Sequence, residues 1–186
     1  MSINFGKLFG AAPERAAAYQ LYASLVGQAR RPEFYTDFGV PDTVTGRFDI
    51  IALHAFLVMR RLQAEPEAAA LAQALTDAVV DDMDRSLREM GTGDLSVGKK
   101  VKRIMQGFYG RLKAYDEGVS GSDAELTAAL KRNLYAEEAV EEVQLTAMAA
   151  YVRRETEALL GQPVERLAQG AVAFGPPPVL TREKVD

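Results

Sequence analysis

His54 is the only histidine in the chain and cysteine is absent, which leaves few residues able to do chemistry. Without cysteine there is no disulfide scaffold, thiolate zinc site, iron–sulfur ligation or thiol nucleophile. A carboxylate-bridged metal site in a helical bundle needs a Glu-x-x-His pattern, but Ile51 stands three residues before His54. A serine nucleophile would need His54 as its base, yet Ile50, Leu57 and Val58 flank it, the setting of a core histidine holding a hydrogen bond. Axial ligation of haem is the other chemistry open to it. Gly91-x-Gly93 and Gly107-x-x-Gly110 follow no strand, so a phosphate-loop reading lacks its context. The chain reads as a binding protein without a catalyst, and no cofactor and no metal are expected.

The charged residues are better organised. Lys99, Lys102, Arg103, Gln106, Gly110 and Lys113 fall on one helical stripe, with Lys100 and Arg111 widening it. Val101, Ile104, Met105, Phe108, Leu112 and Tyr115 fall on the other side. No acid occurs between Gly98 and Lys113, although the chain carries a formal charge of -4. That stripe is either a solvated helix face or a local positive field for an anionic partner: ribosomal RNA, an anionic lipid headgroup or an acidic protein surface. The acidic whole excludes a generally basic nucleic-acid coat, and DNA is not an expected partner.

On the preceding helix, Leu71, Ala74, Leu75 and Ala78 form a core stripe that continues into Asp82, Arg85 and Glu89. The apolar side rotates to Val79, Met83, Leu87 and Met90. Asp81 with Arg85, and Asp84 with Arg88, stand one turn apart and can pair. This is a surface salt ladder or a recognition edge beside the Gly91–Gly93 turn. Glu137, Glu138, Glu141 and Glu142 suit the positive end of a helix dipole.

The elements that position these residues are all helical. With 186 residues, 48% of them apolar and 26% charged, the chain fits one folded domain. Alternation of period two is absent, and Ala, Leu, Glu and Arg dominate the long segments. The expectation is an all-α single-domain bundle of about six helices, with an ordered aromatic loop between the first two. Helices are predicted over 13–30, 48–63, 66–90, 96–117, 122–135 and 137–160, with a short turn at 164–169. Residues 1–13 form an arm, 14–170 the helical domain and 171–186 a Pro-rich flexible tail. Ile3, Phe5, Leu8 and Phe9 either rest on a membrane surface or pack on their own domain. The most apolar run, 50–59, is too short to span a bilayer.

Two blocks of residues carry a resemblance. The first reads Phe34-Tyr35-x-Asp37-x-Gly39-Val40-Pro41-Asp42-Thr43, then Gly46-Arg47-Phe48-Asp49, Leu53-His54-x-Phe56-Leu57 and Arg60-Arg61-Leu62. The second runs Asp82-Met83-Asp84-Arg85-Ser86-Leu87-Arg88-Glu89-Met90-Gly91-x-Gly93-Asp94-Leu95, then Val97-Gly98-Lys99-Lys100-Val101-Lys102, and ends with Phe108-Tyr109-Gly110-Arg111. Ala129-Leu130-x-Arg132-Asn133-Leu134-Tyr135 agrees more weakly. Over roughly residues 19–158 the sequence resembles the ubiquinol–cytochrome c chaperone family, the assembly factors of the cytochrome bc complex.

That resemblance implies an all-helical, non-enzymatic chaperone that attends newly made cytochrome b, in some relatives beside the ribosome and with a small partner subunit. The lack of a transit-peptide pattern suggests a bacterial member, cytoplasmic and peripheral at the inner face of the cytoplasmic membrane. It also joins the two charged features, since both lie in one matching block. The partner-binding residues are then Asp82, Arg85, Arg88, Glu89, Lys99, Lys100, Lys102, Arg103 and Arg111. Met83, Met90 and Met105 would border an apolar groove for an emerging transmembrane segment. The alternatives are a general helical scaffold at the membrane surface and a helical enzyme handling quinone or haem.

Overall fold

The computed structural model describes residues 13–136, 139–177 and 180, without the side chain of Leu95. Among them the chain folds into α1 (Pro13–Ala29), α2 (Glu33–Thr36), α3 (Val44–Gln63), α4 (Ala69–Glu89), α5 (Asp94–Ser120), α6 (Asp123–Asn133), α7 (Glu142–Leu160) and α8 (Val164–Ala168). A 3-10 turn, Pro66–Ala68, leads into α4, and no described residue is in a strand. The all-α expectation holds. Six helices are long, while α2 and α8 are single short turns.

The central element is α3, in which every residue from 50 to 59 is buried. A helix apolar all round must be wrapped by others, and α1, α4, α5 and α7 pack on it. It begins at Val44, a turn earlier than the predicted residue 48. Thr43 Oγ1 caps it by accepting the Gly46 N–H at 3.0 Å. The aromatic segment before it is ordered, as expected. Phe34, Phe38 and Val40 are buried in the core, and Tyr135 Oη donates to the Phe38 carbonyl at 3.0 Å.

Other boundaries shift for local reasons. Gly93 rather than Ser96 caps α5; the Ser96 hydroxyl turns back onto the Gly93 carbonyl at 2.9 Å. The helix runs past its expected end because Gly118 lies against α6, where a β-carbon would come within 2.9 Å of Leu126 Cα. The Ser122–Glu125 capping box starts α6 as predicted. In α7 the start moves from 137 to Glu142, where Glu141 and Gln144 cap each other reciprocally. Glu137 and Glu138 lie outside the described residues, as does the N-terminal arm with Ile3, Phe5, Leu8 and Phe9.

Within the stretch expected as a tail from residue 171, residues 173–176 carry hydrogen bonds to the rest of the chain. Gln162 pairs with both backbone groups of Ala173, at 2.7 and 3.0 Å. The Gly175 N–H donates to buried Glu155 at 2.9 Å, and its carbonyl accepts from Gln28 at 2.8 Å. Arg154 donates to the Pro176 carbonyl. These bonds strap residues 173–176 across α1 and α7, with Phe174 edge-on to His54.

No helix among the described residues is long and apolar enough to cross a membrane.

Candidate functional site

Where α4 turns into α5, Gly91 takes φ +80°, a conformation that suits glycine after a helix end. The two helices pack on each other and on α3. Between them opens a groove of about 410 Å³, lined by residues of all three and by Arg30 at the end of α1. Its floor is Ile51, Met83 and Leu87, each 8% exposed. Val44 and Met90 stand up at its mouth, 69% and 56% exposed. Phe48 and Ile104 complete the apolar wall.

The rim is cationic. Arg30, Arg47, Arg103 and Arg111 line the groove, and Asp82 is the acid among its lining residues. Asp82 is engaged: Tyr22 Oη donates to it at 2.8 Å, and burial pushes the Tyr22 hydroxyl well above its usual range, keeping it a donor. Arg47 pairs with Asp42 at 2.6 Å in an exposed contact. Arg111 pairs at 2.8 Å with Asp49, which is almost fully buried. Burial raises the Asp49 pKa to about 6 against the opposing pull of that guanidinium.

The predicted site residues divide. Lys99, Lys100, Lys102 and Arg103 are exposed along α5, forming the expected stripe with Gln106, Gly110 and Lys113. Lys100 reaches the Thr92 hydroxyl at 3.1 Å. Arg111 leaves the stripe: it turns inward to Asp49 and stacks over Phe48 at 5.9 Å. Arg88 closes the turn, paired with Asp84 at 2.6 Å and with Asp94. The expected Asp81–Arg85 pair is absent from the ion pairs found; Asp81 instead accepts from Tyr19 and meets Arg15 at 3.5 Å. Arg85 lines a hollow beside Gly98 and Val101, and Glu89 is exposed. Met83 and Met90 border the groove, but Met105 is buried in the core, 8% exposed, and does not line it.

Sequence reasoning missed Val44, Arg47 and Arg30. Placing the start of α3 at residue 48 left Val44 and Arg47 in the preceding loop, although Thr43 three residues before Gly46 was a cap signal. Arg30 arrives only through tertiary packing. A larger hollow of about 570 Å³ lies at the other end of α3 to α5, but Arg60 and Asp116 in its lining pair with each other.

His54 is fully buried, and burial lowers its pKa to about 4. Its Nδ1 lies 2.8 Å from the Ile50 carbonyl and its Nε2 2.8 Å from Tyr151 Oη. Both nitrogens are engaged, so it is a core histidine. No group of three or more described His, Asp or Glu residues converges as a metal site.

The described residues form an all-helical bundle that carries an apolar groove with a cationic rim. The ubiquinol-cytochrome C chaperone family model matches residues 36–174, and the chain belongs to that family. It is 25% identical over 146 residues to ubiquinol-cytochrome-c reductase complex assembly factor 1 of Xenopus laevis, covering 78% of this chain and 73% of that protein. The mouse assembly factor is 27% identical over the same share of this chain, which spans half of that protein's length. The crystal structure of the Cbp3 homolog from Brucella abortus superposes with a TM-score of 0.77 at 36% identity, covering 88% of this chain and 91% of that one.

Proposed function

We propose that this protein is a non-enzymatic assembly chaperone that binds newly made cytochrome b during biogenesis of the cytochrome bc complex. It would act in the cytoplasm at the inner face of the membrane, through the surface made by α4, α5 and the start of α3. The observation that carries this reading is the groove over Met83, open among the described residues, beside the acid-free basic stripe of α5. Apart from Arg30, both lie within the stretch that matches the family. An apolar floor with adaptable methionine suits a segment on its way elsewhere. Positive charge beside it speeds encounter with an anionic partner.

Deletion of the gene tests the role: cytochrome b and the assembled complex should fall, and normal levels overturn the proposal. Copurification from a tagged strain tests the client. Cytochrome b should be recovered with the unaltered chain and lost with Lys99→Glu, Lys102→Glu and Arg103→Glu combined, all at exposed positions. Retention by the triple variant would remove the stripe from the site. A quinone- or haem-handling enzyme would instead purify with cofactor absorbance, and a scaffold would scatter light as a dimer.

A further inference from the structure

We infer that the groove over Ile51, Met83 and Leu87 receives an amphipathic helix of a second protein, one with acidic residues beside its apolar stripe. This rests on the reading of the α4–α5 surface as a contact surface, and adds the chemistry of what docks there.

Shape argues for a helix. The groove runs between two packed helices and the end of a third, so it offers a trough rather than a plane. A helix laying apolar side chains one turn apart into such a trough is a common mode of recognition. A flat bilayer would reach Val44 and Met90 at the mouth but not the three floor residues, which are nearly closed off already.

Charge argues for acid. With Asp82, Asp42 and Asp49 set against Arg30, Arg47, Arg103 and Arg111, the groove keeps a positive excess, in a chain whose net charge is -4. Lys99 and Lys102 extend it along α5. The arginines differ in availability. Arg30 and Arg103 have no ion pair among the described residues. Arg47 shares an exposed pair with Asp42, both side chains about 60% exposed, of a kind worth little. Arg111 is held by buried Asp49. Arg30, Arg47 and Arg103 are therefore the residues that meet an incoming carboxylate. The same rim turns away a segment with basic residues beside its apolar stripe.

The test uses a fluorescent helical peptide of about 18 residues, five turns, with Leu and Met at helical spacing and Glu along both edges of that stripe. A twin carries Lys for each Glu. Titrated against the purified full chain and read by anisotropy, the acidic peptide should bind and weaken as salt rises, and the Lys twin should bind at least about tenfold more weakly. Val44→Asp and Arg103→Glu, both exposed and expected to leave the melting temperature unchanged, should each weaken the acidic peptide by about tenfold. Equal binding of the twins, no binding of the acidic peptide, or indifference to Val44→Asp overturns the inference. So does an unaltered chain that ignores both peptides yet sediments with phosphatidylglycerol vesicles, which would assign the patch to a bilayer. Cytochrome b recovery by the tagged chain reads the contact surface independently, so either result can fail without the other.

Discussion

Tyr151 Oη donates to Nε2 of His54 at 2.8 Å, joining residues 97 positions apart and fixing the imidazole tautomer. The Ile50 carbonyl, 2.8 Å from Nδ1, can only accept, so Nδ1 carries the proton and Nε2 must receive one. Gln28 completes the relay by donating to Tyr151 at 3.1 Å. Phe34 packs edge-on against both rings, at 5.3 and 5.2 Å. Helices α1, α3 and α7 are thereby tied through one buried polar chain.

Removing the hydroxyl should therefore cost more than an ordinary hydrogen bond. Tyr151→Phe keeps the ring but strands Nε2 of His54 in the core, at about 1–3 kcal/mol for an unsatisfied buried acceptor. Urea denaturation measures it. A change within about 0.5 kcal/mol, the usual span for an exposed site, would contradict the relay.

Two buried groups should give opposite pH slopes over nearly the same window. The pKa of His54 is lowered from 6.5 to about 4, so below 6.5 the unfolded chain takes up the proton first and stability falls until about pH 4. Asp49 is raised from 3.8 to about 6, so the folded chain holds its proton longer and stability grows on acidification across that range. The two partly cancel in the unaltered protein. Asp49→Asn leaves the histidine slope unopposed, so the variant should lose more stability than the parent between pH 6 and pH 4. Parallel denaturation midpoints for the two across that interval would refute this.

Two glycines should respond in opposite directions. Gly46 sits in the first turn of α3, where a β-carbon would collide with the Pro41 backbone carbonyl, so Gly46→Ala should destabilise by about 1–3 kcal/mol through overpacking. Gly98, inside α5, has nothing within 4 Å of that position. Gly98→Ala should stabilise by about 0.5–1 kcal/mol. Thermal melts of both variants decide it.

The strap over α7 should unlock as a unit. Phe174→Ala removes the ring lying edge-on to His54 at 5.4 Å and should cost about 1–3 kcal/mol. The Gly175 amide, now bonded to Glu155 at 2.9 Å, should lose hydrogen-exchange protection in the variant. Unchanged protection would mean that Gln162, Gln28 and Glu155 hold the segment without the ring.

The helices and their apolar faces were legible because each is a local, periodic property. The Ser122–Glu125 box and Pro66 announce helix starts within four residues of sequence. Long-range pairings were not. Nothing local says that Arg111 turns from the Lys99–Lys102 stripe to reach Asp49, 62 positions earlier, or that Asp81 prefers Tyr19 and Arg15 to Arg85 one turn away. Met105 reads like Met83 and Met90 by type. Only the rotation of α5 against α3 sends it into the core instead of the groove. The strap was not legible for a related reason: Pro-rich composition argues for an extended chain, and an extended chain can be free or bound.

The burial of α3 on every side also shapes which sequence changes the protein can accept. From Ile50 to Met59 there is no solvent side on which substitutions could drift, so a saturation-mutagenesis profile there should be uniformly severe and lack a helical period. Along α5, with Lys99, Lys102 and Gln106 outward and Phe108 and Tyr115 inward, the same profile should rise and fall every three to four residues. New partners can be acquired by changing α5, while α3 preserves the frame that presents it.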